Sequence, residues 1–192
     1  MFLRKLQAAV LVGGESRRMG RNKALLPFRG RTLVEHIAGE AEAAAGRVML
    51  IGPPAQFGQL GWPVVEDAAR GSGPLSGIVT ALARSEAEWT LVVACDMPNL
   101  SRQVLGELAA HALAGSADAV LAQGPGGYEE PLLAAYRATC RPVLEAALAE
   151  GRWKVRDALH GLRVDHFAVS EECVRNANTP EEWERIEDRE RA

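Results

Sequence analysis

Val10-Leu11-Val12-Gly13-Gly14-Glu15-Ser16-Arg17-Arg18-Met19-Gly20-Arg21-Asn22-Lys23 carries an apolar run, Leu6 to Val12, out of the interior and into a basic, glycine-rich loop. Adjacent glycines after a buried strand allow φ > 0 and bring N–H groups close to a ligand. Arg17, Arg18 and Lys23 add cations suited to a polyphosphate, the arginines as planar forks and the lysine as a point charge. The spacing is not that of a P-loop, because Gly20 is followed by Arg21 and Asn22 rather than Lys and Ser or Thr. Nor does it fit G-x-G-x-x-G. Taken alone, the stretch can also be an ordinary strand-to-helix turn with a solvated basic loop.

Outward from this loop, strands and helices alternate. Lys23 to Phe28 reads as a short extended connection, with Gly30 in a turn. Thr32 can N-cap a helix whose capping box is completed by Glu35 and whose stop is Gly46. Val48–Ile51 and Pro63–Glu66 read as strands, and Gly73-Pro74 launches a helix through Leu82. Thr90–Ala94 is a continuous apolar run, as expected of a central parallel strand buried on both faces. A helix from about Ser101 to Ala114 and a strand at Ala117–Ala122 follow. Pro131–Tyr136 is read as a strand, Arg141–Glu150 and Lys154–Leu159 as helices, Leu162–Ala168 as a strand, and Thr179-Pro180 as the start of a last helix. The pattern predicts an α/β fold: a single Rossmann-like domain over 1–192, with a mostly parallel, doubly wound sheet and helices on both faces. Ligands then belong at the carboxyl ends of the strands.

Composition excludes several classes. A 192-residue chain with 47% hydrophobic and 24% charged residues suits one soluble domain. A net charge of -3 gives no global basic field for nucleic acid. No apolar run approaches the ~20 residues that would span a membrane, and Met1-Phe2-Leu3-Arg4-Lys5 is charged too early for a signal peptide. The cytoplasm is the expected location. Three cysteines, Cys95, Cys140 and Cys173, lack metal-ligand spacing, as do the four histidines. The histidines read as surface or packing residues, and the tryptophans as packing residues.

Three predicted strand ends converge: the loop after Val12, Asp67 and Asp96. Phosphoryl and nucleotidyl transfer ask the protein to clamp phosphates, neutralise charge and hold a metal. Carboxylates suit Mg²⁺. Asp96 stands just past the central strand in Val92-Val93-Ala94-Cys95-Asp96-Met97-Pro98; a strand-end Asp also serves as a turn former. Asp67 followed by Gly73-Pro74-Leu75-Ser76-Gly77 resembles the acid and Gly-Pro-Leu-x-Gly of the guanylyltransferases, which lies against the guanine and ribose; a guanine edge, with N1–H and N2–H₂ donors, then needs an acceptor such as Asp67 or a backbone carbonyl.

Leu-x-Gly-Gly-x-Ser-x-Arg-Met-Gly-x-x-Lys-x-Leu-Leu, running on through Pro27, Gly30 and Leu33, resembles the nucleotide-binding signature of the nucleotidyltransferases. It looks most like that of the molybdenum cofactor guanylyltransferases. Cys95-Asp96-x-Pro98 resembles the segment whose aspartate binds Mg²⁺ in that family, and Lys23 matches the lysine that contacts the phosphates. The resemblance implies nucleotide contacts from Leu11, Val12, Gly13, Gly14, Lys23, Asp67 and Asp96; Lys23, with Arg17 or Arg18, would offset the triphosphate charge. Glu130-Pro131-Leu132-Leu133, the Gly151–Val155 turn and Asn176-x-Asn178-Thr179-Pro180 look like the pterin side of the family's cleft. There Lys154 suits a phosphate, and Asn176 and Asn178 suit the mixed donor and acceptor edge of a pterin, although Asn178 or Thr179 can simply cap the last helix.

The implied activity joins GMP from GTP to the phosphate of molybdenum-loaded molybdopterin, with Mg²⁺ and release of pyrophosphate. Any contact with other cofactor-assembly proteins or molybdoenzymes would be transient. A cytidylyltransferase on the same or a sugar-like phosphate and a non-catalytic nucleotide-binding module are the competing readings. Two positions depart from the family loop: Val12 stands where Ala is usual, with a bulk that can narrow the groove, and Asn22 where Asp is usual.

Overall fold

A computed structural model describes residues 4–13, 22–69, 73–175 and 183. The central sheet is built from β1 (Arg4–Leu11), β4 (Val48–Ile51), β5 (Val64–Val65), β6 (Ala87–Ala94), β7 (Ala119–Gln123), β8 (Glu129–Arg137) and β9 (Val164–Ala168). Its seven strands lie in the order β5-β4-β1-β6-β8-β7-β9. β5, β4, β1 and β6 run parallel. β8 is antiparallel to both its neighbours, β6 and β7, and β9 is again parallel to β7. The expected α/β, mostly parallel sheet is therefore present, with one strand reversed inside it.

Helices cover both faces. α1 (Leu33–Ala45) and α4 (Arg102–Ala114) pack on one side, where Ile37 and Leu108 are buried with Val10, Leu50, Leu91, Val93 and Leu133. α3 (Pro74–Arg84), α5 (Arg141–Ala149) and α6 (Val155–Ala158) pack on the other, against Ala9, Met49, Val92 and Ala134. Successive residues of β6 thus enter opposite cores, which is why its sequence is apolar without alternation.

Helix ends follow their sequence signals. The Thr32 hydroxyl accepts from the Glu35 N–H at 3.4 Å, and Glu35 Oε2 accepts from the Thr32 N–H at 2.8 Å, closing the capping box. Ser101 caps α4 through the Val104 N–H, while Glu40 on α1 accepts from the Arg102 N–H at 2.6 Å. Two small features are unexpected: a hairpin of β2 (Pro27–Phe28) and β3 (Arg31–Thr32), and a short helix α2 (Pro54–Phe57). The predicted last helix lies outside the described residues, but Trp183 is buried, its ring 5.9 Å from that of Phe28. Among the described residues no helix is long and apolar enough to cross a membrane.

Candidate active site

The carboxyl ends of the parallel strands β1, β4, β5 and β6 form one edge of the sheet, and the reversed β8 begins there. Backbone bonds fix this edge. The N–H groups of Val12 and Gly13 both donate to Ile51 O, at 3.0 and 3.2 Å, and the Cys95 N–H donates to Leu11 O at 3.2 Å. The expected N–H donors of Val12 and Gly13 are therefore spent on the sheet. What these two residues can offer a ligand is carbonyl oxygen, which complements the donor edge of a guanine rather than a phosphate. Gly14 and Arg17 lie outside the described residues.

Both departures from the family loop have structural explanations. Val12 is buried in the core rather than directed into a groove, and it packs on Gly52. Asn22 caps the turn that carries Lys23: its Oδ1 accepts from the Ala24 N–H at 3.1 Å, and its Nδ2 donates to Gln56 Oε1 at 2.8 Å. The turn is thereby tied to the unexpected α2. Gly77, on α3, lets Leu11 approach closely, since a Cβ there would meet Leu11 Cδ1 at 3.2 Å.

Asp96 follows the buried Cys95 at the end of β6. Burial pushes its carboxyl above the usual range, and the Lys23 charge pulls it back. Its Oδ1 is fully buried and has no hydrogen-bond partner among the described residues. An orphaned carboxylate oxygen of this kind is costly unless a ligand satisfies it, so the position fits a hard cation that takes oxygen ligands. Among the described residues no group of three or more His, Cys, Asp or Glu could hold a metal by itself. A cation here would depend on phosphate oxygens and water, as Mg²⁺ sites commonly do. Burial and then the neighbouring Asp96 raise the Cys95 thiol, which makes it a poor nucleophile.

Asp67 is turned toward α3. Its Oδ2 accepts from the Ser76 hydroxyl at 2.6 Å, and its Oδ1 accepts from the Ala69 N–H at 3.1 Å. The Thr80 hydroxyl also donates to Oδ1 at 3.4 Å, so the carboxylate locks the loop after β5 to α3 and keeps one acceptor position, on Oδ2, for a ligand.

On the far side, the turn before α6 approaches the start of α3: Trp153 O would lie 3.8 Å from a Cβ at Gly73. Lys154 is exposed beside it. Trp153 is 58% exposed, unlike buried Trp89 and Trp183, so it is not the packing residue its type suggests. Tyr128, equally exposed, lies under Arg156 at 5.5 Å. Asn176 and Asn178 lie outside the described residues. The four histidines are engaged elsewhere or solvated: His36 is buried against Phe28, His111 pairs with Asp165, His166 pairs with Glu129, and His160 is exposed.

Sequence reasoning places Glu130 only within a segment of the pterin side. In the structure it is 6% exposed at the start of β8, where burial pushes its carboxyl above the usual range.

Comparison with known proteins agrees with this geometry. Residues 8–164 match the family described as the MobA-like NTP transferase domain. A molybdenum cofactor guanylyltransferase of Shewanella amazonensis is 32% identical over 188 residues, covering 95% of each chain. A protein of Carboxydothermus hydrogenoformans, named a probable molybdenum cofactor guanylyltransferase, is 31% identical over 192 residues and 96% of each chain. The crystal structure of molybdopterin-guanine dinucleotide biosynthesis protein A from Archaeoglobus fulgidus superposes with a TM-score of 0.81. It is 28% identical, over 95% of this chain and 97% of that one.

Proposed function

The chain belongs to the MobA-like NTP transferase family, and on that premise we propose that it works as a molybdenum cofactor guanylyltransferase. Its substrates are then GTP and molybdenum-loaded molybdopterin. The observation that carries the reading is Asp96: an acid at the end of β6, with one oxygen buried and unsatisfied among the described residues, in the field of Lys23.

The pterin phosphate supplies the nucleophile, so the protein needs none. An oxygen of that phosphate attacks the α-phosphorus of GTP, the bond from the α-phosphorus to the bridging oxygen breaks, and pyrophosphate leaves with that oxygen. Asp96 would hold Mg²⁺, and the cation when bound neutralises and orients the triphosphate. Lys23, with Arg17, adds positive charge along the phosphates. Leu11, Val12, Gly13 and Gly14 border the nucleotide through their backbone, where carbonyl oxygens match a guanine's donors. Asp67 positions the nucleotide through the loop it holds. Lys154, Asn176 and Asn178 bind the pterin, with Lys154 on its phosphate. Most of the catalysis is placement and charge compensation.

Turnover with each of the four common nucleoside triphosphates, Mg²⁺ and the molybdenum-loaded pterin tests the reading. GTP should be used well above the rest. Equal or faster transfer of CMP would overturn the guanine assignment, and binding without transfer from any nucleotide would overturn the enzyme.

A further inference from the structure

We propose that Gln56 is a positioning residue for the phosphate-binding turn: from α2 it holds Asn22, and through Asn22 it sets the place of Lys23. This rests on the reading of Lys23 as the lysine that meets the triphosphate. Gln56 and Asn22 stand 34 residues apart in sequence, and the fold alone brings them together.

The hydrogen bonds leave one arrangement of the two amides. Asn22 stands at the head of the 3₁₀ turn Lys23–Leu25, and its Oδ1 accepts from the Ala24 N–H at 3.1 Å. That bond leaves Nδ2 as the donor, and Gln56 Oε1 accepts from it at 2.8 Å. Gln56 is itself fixed. Its N–H donates to Pro53 O at 3.0 Å, and its carbonyl accepts from Gln59 Nε2 at 2.8 Å. Beside it Phe57 is fully buried, in the same apolar core as Ala24 of the turn.

The segment after β4 therefore grips the glycine-rich stretch at both of its ends. At the first end, the N–H groups of Val12 and Gly13 donate to Ile51 O, and Val12 packs on Gly52. At the second, Gln56 holds Asn22. A lysine is a point charge on a flexible stem, so what it gives a phosphate depends on where its backbone is held. An amide pair does the holding without placing negative charge beside a triphosphate.

The test reads binding by the full chain. The probe is a GTP analogue that cannot be cleaved between its α- and β-phosphates, titrated with Mg²⁺ by calorimetry. Wild type is compared with Gln56→Met, which keeps the length of the side chain but no oxygen acceptor, and with Gln56→Glu, which keeps an oxygen for Asn22 Nδ2. Lys23→Ala and the double variant Lys23→Ala with Gln56→Met complete the cycle. Gln56 is exposed, so each Gln56 variant should melt as wild type does. Gln56→Met should weaken the analogue by about two- to tenfold, the range that loss of one ordinary hydrogen bond covers. Gln56→Glu should stay close to wild type. In the Lys23→Ala background Gln56→Met should cost nothing further, because the residue it positions is gone. Wild-type affinity in Gln56→Met, with affinity lost in Lys23→Ala, overturns the role of Gln56 alone. So does a loss from Gln56→Met that persists undiminished without the lysine. Wild-type affinity in Lys23→Ala overturns the reading of the turn as well.

Discussion

Val12 fills the space that Gly52 leaves open. A Cβ at Gly52 would stand 2.6 Å from Val12 Cγ2, far inside contact distance. The residue that departs from the family loop is thus accommodated by a glycine at the neighbouring strand end, and its bulk stays out of the cleft. Gly52→Ala should destabilise the fold by about 1–3 kcal/mol, the usual cost of overpacking. In the double variant with Val12→Ala the two changes should be clearly less harmful than their sum. Urea unfolding of the three variants measures this; additive losses would show that the two positions do not share the space.

His36 makes stability depend on pH. It is buried on Phe28, with ring centroids 4.8 Å apart, and Arg31 donates to its Nδ1 at 3.1 Å. Burial first, and then the Arg31 charge, lower its pKa from the ordinary 6.5. The unfolded chain therefore takes up the proton more readily than the native one. Stability from this site is complete above the ordinary imidazole range and is lost as pH falls below it. Melting temperatures between pH 8 and 5 should decline less steeply in His36→Phe than in wild type. Parallel profiles would remove His36 as the source.

Much of the fold is legible in local sequence. The unbroken apolar run of β6, the Thr32 and Glu35 capping box, and Pro74 and Ser101 at helix starts each act over a few residues, and each marks its element correctly. The β2–β3 hairpin is not legible, because its two turn residues, Arg29 and Gly30, both have positive φ (47° and 77°). Such turns are normally announced by Asn-Gly or Gly-Gly, and arginine conceals this one. The reversal of β8 is hidden for another reason. Its insertion between β6 and β7 is a long-range pairing, and strands buried on both faces read the same in either direction. Asp96, Lys23 and Asp67 stand out because they follow a strand or a glycine loop directly.

Asp67 and Ser76 should act as one unit. The buried Ser76 hydroxyl donates to Asp67 Oδ2 at 2.6 Å. Ser76→Ala removes a hydrogen bond to a charged group, worth about 1.5–3 kcal/mol. The loop should then hold the nucleotide less well, raising KM for GTP while kcat changes little. Steady-state kinetics with GTP varied at saturating pterin gives the answer. An unchanged KM in a folded variant would mean that the loop does not meet the nucleotide.

Asp96 and Lys23 should fail in different ways. Burial raises the Asp96 pKa, so its ionised form destabilises the metal-free native state. The penalty grows as pH climbs from the ordinary carboxylate range and is complete above the raised value. Asp96→Asn should therefore match or exceed wild type in melting temperature at pH 8 without metal, which separates loss of function from loss of fold. Transfer should nevertheless fall by at least ~10², because charge compensation at the α-phosphate goes with the carboxylate. Lys23→Ala takes one cation from the phosphates and leaves Asp96 in place, so GTP affinity should suffer at least as visibly as turnover. GMP transfer across a Mg²⁺ titration distinguishes the two: Lys23→Ala should keep a wild-type dependence on Mg²⁺ once GTP saturates, while Asp96→Asn should not. An Asp96→Asn enzyme with the wild-type rate and metal dependence would reduce Asp96 to a turn residue and remove the centre of the proposed mechanism.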